Sequence, residues 1–466
     1  MTVIVRCALR VIFLLLICLF PAAAGGESVL DRYVAQGLAA NLTLRQKRFD
    51  LEQSVQALRE ARGRYLPALS LEARLTRAGG GRTLELPVGE LLNDVHDALN
   101  TLLGAPQFPT DLGPEIIPLS HEREQETRLV VMQPLFVPRL RHEVRLQGFE
   151  SRAREAELAL YRRLLSFEIR EAYYNHLKAR GLVELLKESG ELLEENLRVS
   201  ESLLVRGKAT EDAVYRARAE IAALEQEQAA AGRQLRISAA YFNFLLNREP
   251  DAEIEHMAPG EIPCCGDASL KQALVQALSG REELKLLDIS LGAAGETVRL
   301  AESARLPDFS AAFAYGFQGE DFRFSNDNDF WSASLLVQWR LYSGGQVRAK
   351  SAQTRLAERS LETRREELCA RIRLEVEEAW ADLEVARRSL TAAGEGLKSS
   401  RAYFDIVARK YEAGISSQME YMDARNQLTR AETGRLIAGY DALIACARLE
   451  SVTAAHKAPD KGGKPE

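Results

Sequence analysis

The sequence predicts a mainly α-helical protein that carries a membrane β-barrel wall, written as two tandem helix-strand-strand-helix-helix repeats. Three observations predict it. Residues 29–44 match residues 269–284 at an offset of 240, position by position through Leu30/Leu270, Leu38/Leu278 and Leu44/Leu284. The spans from Pro138 to Gly207 and from Gly345 to Gly414 are both 69 residues of helical pattern. Between each repeat's first helix and its long helix lie two segments alternating apolar and polar residues, the period of a half-buried strand.

In chain order, the N-terminus reads as a secretory signal over 1–24. Arg6 and Arg10 precede an apolar run from Val11 to Phe20, followed by Pro21-Ala22-Ala23-Ala24. Repeat 1 then covers 25–250 and repeat 2 covers 251–455, with a disordered tail at 456–466. The first helices are expected over 28–65 and about 267–305. Both stop at Leu-Pro, Leu66-Pro67 and Leu306-Pro307, where the residue before proline is pushed out of the helical region.

Strands are expected at about 68–78, 127–136, 308–318 and 330–342. In the third, Phe309, Ala311, Phe313, Tyr315 and Phe317 share one face, and Ser310, Ala312, Ala314 and Gly316 the other. In the fourth, Trp331, Ala333, Leu335, Val337 and Trp339 oppose Ser332, Ser334 and Gln338. The first alternates Leu69, Leu71, Ala73 and Leu75 with Ser70, Glu72, Arg74 and Thr76. The second is mixed: Leu129 and Val131 fall with Gln133, and Arg128 falls with Val130 and Met132. An apolar outer face and a polar inner face suit a membrane barrel wall. Trp331 and Trp339 are eight residues apart, ~27 Å along a strand, and suit its two aromatic girdles.

Four strands cannot close a barrel, and open edges are not tolerated in lipid. Closure requires other subunits. Eight strands from two copies leave little lumen; twelve from three leave a channel. A trimer is therefore expected. The repeat offset drops to 206 or 207 after the second strand, which places an insertion of about 34 residues in repeat 1, within a loop at 79–125. Its stretch from Leu86 to Leu103 has the pattern of a short amphipathic helix.

At 1.5 Å per residue the two long helices would each reach ~100 Å. Return helices are expected at about 210–247 and 417–455. The segment between repeats, about 248–266, holds Pro250, Pro259, Gly260 and Pro263 and is the natural break.

Composition excludes several classes. The formal net charge is -6, and it becomes -8 once Arg6 and Arg10 leave with the signal. That does not suit a nucleic-acid binder. No later apolar run is long enough for a spanning helix. Six scattered histidines lack paired metal-ligand spacing, Gly79-Gly80-Gly81 does not sit between strand and helix, and no Gly-x-Ser-x-Gly occurs. No enzyme, metal or cofactor is expected. Cys369 and Cys446 lie in helical patterns and read as small core residues, while Cys264 and Cys265 fall in the linker.

Gly207 and Gly414 mark the two hairpin tips. Each is followed ten and eleven residues later by an Ala-Arg pair, Ala217-Arg218 and Ala424-Arg425. The tip Tyr411-x-x-Gly414 with Asp423-Ala424, the Leu-Pro before each first strand, Gln133-Pro-Leu-Phe136 and Leu341-Tyr-Ser-Gly-Gly345 together resemble the TolC-like outer membrane efflux protein family. The resemblance covers nearly all of the mature chain. It implies a trimer with a twelve-stranded barrel in the cell outer membrane and a long α-helical barrel in the periplasm. It also implies a periplasmic adaptor protein docking near Gly207 and Gly414, and an inner membrane transporter supplying energy.

The same resemblance implies a pore constriction at Glu420 and Asp423, which share a helix face and would set six carboxylates round a three-fold axis. The sequence Ser417-Gln-Met-Glu420 also reads as a capping box, and both readings can hold. Tyr411 matches a tyrosine that holds the aperture shut. The companion arginine is replaced by Ser416, and the acidic partner's position at the other tip is Ala213, with Asp212, the other gate candidate, one position earlier. A more weakly locked aperture is expected.

Function is expected to be that of a passive exit duct of an efflux pump, exporting small molecules. A conduit for type I protein secretion and a non-conducting structural envelope protein are the alternatives. Glu72, Arg74 and Gln338 on the inner strand face argue against the last.

Overall fold

A computed structural model describes residues 28–80, 82–118, 122–207, 210–256, 269–413 and 415–455. The expected signal (1–24), the adjacent cysteines Cys264 and Cys265, the tip glycine Gly414 and the tail (456–466) lie outside the described residues. Among the described residues no helix is long and apolar enough to cross a membrane.

The elements run in this order. Helices α1 (Val29–Ala40) and α2 (Leu42–Gly63) precede strand β1 (Ala68–Arg77). A short hairpin, β2 (Thr83–Leu86) and β3 (Glu115–Pro118), encloses helix α3 (Val88–Leu103). Strand β4 (Arg123–Phe136) leads into α4 (Pro138–Val205), and α5 (Glu211–Leu245) returns. The second pass runs α6 (Leu270–Gly280), α7 (Glu282–Ser303), β5 (Asp308–Gly319), β6 (Asp329–Gln338), α8 (Gln346–Glu412) and α9 (Gln418–Thr453).

Each first helix is two helices, not one. Asn41 and Arg281, 240 residues apart, both adopt extended backbone, with φ/ψ of -61/126 and -64/130 degrees. The reasons differ. Asn41 donates from Nδ2 to Leu245 O (3.1 Å) and accepts from Leu44 N (3.0 Å), so it caps the next helix. Arg281 uses its guanidinium instead, reaching Glu283 at 2.7 Å and Glu375 at 2.5 Å. Apolar periodicity passes through both positions without a change of phase, which is why the breaks are invisible to it.

The chain separates into two compact units. One comprises residues 1–54, 150–292 and 359–466; the other comprises 55–149 and 293–358. The first unit's core gathers Tyr33, Leu165, Ile169, Tyr173, Phe242 and Leu246, with Tyr33 edge-on to Phe242 at 5.1 Å. Two smaller clusters lie apart from it, one centred on Ile372 and Val376, the other on Leu186, Leu193, Leu224 and Met422. Arg163 is 7% exposed. It donates to Glu282 (2.7 Å), Glu283 (2.8 Å) and Ser451 O (2.5 Å), tying α4 to the start of α7 and the end of α9.

The second unit holds an antiparallel sheet of order β1-β4-β5-β6. Its register resolves the mixed pattern of β4. Leu129 pairs with Leu71 and Tyr315, and Val131 with Leu69 and Phe313. Phe313 and Tyr315 in turn pair with Ala333 and Trp331. Through these rows one sheet face is apolar across all four strands, and Leu69, Leu71, Trp331 and Leu335 on it are exposed.

The opposite face carries Glu72 against Arg128 (2.8 Å) and Arg74 against Glu126 (2.8 Å). Arg128 also lies against Gly316, where an added Cβ would sit 2.5 Å from Thr127 O and 2.6 Å from the Arg128 Cβ. Only a glycine lets β5 approach there. Strand β6 ends at Gln338, short of the expected 342. Trp339 lies just past it, its Nε1 donating to Arg305 O at 3.1 Å.

Candidate functional site

The first tip turns at Gly207, whose φ of +69 degrees lies in the left-handed region. Its N–H bonds Leu204 O at 2.9 Å and closes α4. Thr210 precedes α5 in extended backbone, but its side chain makes no cap bond. Glu211 and Asp212 fill the first turn, where carboxylates offset the unsatisfied N–H groups. Asp212 is exposed.

The second tip is more tightly built. The N–H groups of Ile415 and Ser416 both reach back to Lys410 O, at 2.8 and 3.2 Å. Ser417 caps α9: its Oγ accepts from Glu420 N (3.2 Å), and its N–H donates to Glu420 Oε2 (3.1 Å). This is a complete capping box. Ser416 adds a second bond, its Oγ donating to the same Glu420 Oε2. The hydrogen bond from Ser416 and that from the Ser417 backbone hold the Glu420 carboxyl below the usual carboxylate range. Asp423, one turn on, is exposed and stands outside the cap.

Tyr411 stacks on Tyr421, ring centres 4.9 Å apart, and Tyr421 lies against Phe404 at 5.5 Å. Burial there pushes the Tyr411 hydroxyl pKa up. Among the described residues no hydrogen bond joins Tyr411 to Asp212. Glu420 and Ser416 are thus brought together; Tyr411 and Asp212 are not.

Two further residues fix α9 beside α4. Gln418 donates to Asn196 (3.1 Å) and to Ser200 Oγ (2.7 Å). Arg425, 4% exposed, donates to Ser189 O at 2.9 Å and Ser189 Oγ at 3.3 Å. Burial lowers its pKa from the ordinary arginine value. The repeated Ala-Arg pair carried this signal: Ala217 and Ala424 are both buried, and what differs is the arginine. Arg218 is exposed and pairs with Glu201 at 2.9 Å. The pattern marked the position but not which copy would be buried.

Among the described residues no group of three or more His, Cys, Asp or Glu could hold a metal ion. The tip's chemistry is two exposed carboxylates on one helix face, of which Glu420 is set by hydrogen bonds within the turn.

The description "Outer membrane efflux protein" matches residues 273–455, which include β5, β6, both long second-repeat helices and this tip. Over those residues the chain is similar to outer membrane efflux proteins. The outer membrane efflux protein BepC of Brucella suis is 24% identical over 289 residues, 60% of this chain and 61% of its own. The chain thus spans about three fifths of that curated relative. A membrane protein from Pseudomonas aeruginosa superposes with a TM-score of 0.74 at 19% identity, over 91% of this chain and 93% of its own. The outer membrane protein VceC of Vibrio cholerae gives 0.73 at 15%, over 91% and 95%. At such identity the likeness is one of fold: a mainly helical chain folded like these membrane proteins.

Proposed function

We propose that this chain is the outer membrane exit duct of an efflux pump, a homotrimer that conducts passively. One observation carries the reading: a four-stranded sheet with one apolar face, one charged face and two unpaired edges, continuous in sequence with helices of 68 and 67 residues. An apolar face meets lipid, a charged face meets water, and unpaired edges β1 and β6 are tolerable in lipid only when joined to other copies. Three copies give twelve strands and an open lumen. Helices of this length reach ~100 Å, enough to carry the tips far into the periplasm.

In this reading Glu420 and Asp423 form the constriction at the inner end, and three copies bring six carboxylates to one axis. The bonds on Glu420 Oε2 support it, because they keep that carboxylate ionised while leaving it exposed. Tyr411 and Asp212 border the aperture. Gly207 and Gly414 lie at the turns that a periplasmic adaptor protein would grip, and an inner membrane transporter behind the adaptor supplies the energy. The duct itself needs no cofactor and binds no nucleic acid. BepC is named an efflux protein, which favours small-molecule export over protein secretion.

Reconstitution in planar bilayers tests it, with the mass of the purified particle measured alongside. A trimer with cation-selective conductance is expected, and selectivity falls in Glu420→Gln with Asp423→Asn. A trimer that never conducts, before or after those changes, refutes the duct and leaves a scaffold.

A further inference from the structure

The insertion in repeat 1 is a built element. Helix α3 is clamped along one stripe by the loop that returns beside it. Asn93 donates to Leu112 O (3.1 Å) and accepts from Leu112 N (2.9 Å). His96 Nδ1 bonds Pro109 O (2.7 Å), and Asn100 bonds Phe108 O (2.7 Å) and the N–H groups of Gln107 and Phe108. Gly89 lets the loop close, since a Cβ there would meet Leu112 O at 2.0 Å.

The other side of α3 is apolar and uncovered. Leu92, Val95, Leu99 and Leu102 follow one another at spacings of three, four and three, the a/d repeat of a helix-to-helix seam. Leu91 and Leu103 flank it, and exposure runs from 38% at Leu99 to 82% at Leu102. The β-branched Val95 falls at a d position with leucines at a, a choice that disfavours two-stranded pairing. The acids Glu90, Asp94 and Asp97 keep to the other positions.

Charge decides what covers the seam. From Thr83 to Pro118 there are six acids and no lysine or arginine. Helices that lie on membranes carry cations on their polar face, and an anionic lipid surface repels this segment. A second copy of the chain fits: the seam is self-complementary, and copies joined through the sheet edges would hold α3 at high local concentration. The connection leaves β1 and enters β4 at the sheet end away from the helices, so every copy presents it at the same rim.

We propose that α3 is an interface between copies of this chain. Three α3 helices meet seam to seam and narrow the outer mouth of the channel. This rests on the trimeric duct proposed above.

Oxidative cross-linking of the full-length purified protein tests it, comparing Leu99→Cys on the seam with Asp97→Cys on the acidic side. Leu99→Cys should give about tenfold more interchain dimer than Asp97→Cys, because only the seam holds the thiols together. A second variant, Val95→Asp with Leu99→Asp, should raise single-channel conductance without changing the particle mass. Equal cross-linking at both positions overturns the proposal. So does quenching of a fluorophore at Leu99→Cys by brominated lipid without cross-linking, which would assign the seam to lipid. A particle that is not a trimer refutes the earlier reading instead; a trimer without Leu99→Cys cross-links refutes only this one.

Discussion

Arg163→Met tests what fastens the second repeat. The arginine is 7% exposed and gives four hydrogen bonds, one to Glu282, two to Glu283 and one to the carbonyl of Ser451. Methionine keeps most of the stem's packing and removes all four. Glu283 keeps Arg281 at 2.7 Å. Glu282, whose side chain is 17% exposed, loses its partner, while the Ser451 carbonyl keeps the Ala454 N–H at 3.2 Å. Removing one member of a buried ion pair costs ~3–5 kcal/mol, and the surviving Arg281 contact places this case near the lower end, about 3 kcal/mol. Chemical denaturation in detergent, followed by helical circular dichroism at fixed protein concentration, measures it. Adding Glu282→Gln should recover about 1 kcal/mol relative to additive losses, the signature of direct coupling. A variant within ~0.5 kcal/mol of the parent, or strictly additive losses, would refute the assignment of Arg163 as the fastener.

Three further outcomes follow from geometry already described or adjacent to it. Gly316→Val places side-chain atoms against Thr127 O and Arg128, so heat-resistant assembly on gels should be lost, while Ser332→Val, on the same sheet face, should retain it. Glu296 is 2% exposed and takes bonds from His142 (2.7 Å), Arg299 (2.9 Å) and Arg145 (3.2 Å). Burial alone would raise its pKa, but the bonds from His142, Arg299 and Arg145 outweigh it and hold the carboxyl below the usual range. The stability it contributes is present above the ordinary carboxylate pKa and is lost as pH falls through the lowered one. Glu296→Gln should cost about 2 kcal/mol at neutral pH and flatten the acid-unfolding profile. Last, Cys369 is a free, half-buried thiol, whereas Cys446 is disulfide-bonded rather than a plain core thiol. Alkylation of the unfolded, unreduced chain followed by peptide mapping should label Cys369 and spare Cys446.

The parts legible in the sequence were those set by periodicity. Alternation placed β5 and β6 because each strand carries a uniform face. It left β4 ambiguous because Val130 and Met132 lie among small residues, Ser70, Ala314 and Ala312, which only the register reveals. The capping box at Ser417 and Glu420 was legible because capping is a local rule. Side-chain choices that depend on a distant partner were not. Ser416 looked like a missing arginine, yet its hydroxyl binds Glu420. Arg218 and Arg425 are the same residue in the same motif, and only tertiary packing buries the second. The β2–β3 hairpin was missed for a different reason: four residues on each side are too few for alternation to register.

Asn41 and Arg281 solve one backbone problem with different chemistry. The asparagine uses neutral amide bonds, which ionic strength barely affects. The arginine uses carboxylates only partly shielded from water, and salt weakens such contacts. Each chain therefore owns one elbow that ignores the ionic medium and one that responds to it. A shift in salinity acts more on the second elbow than on the first.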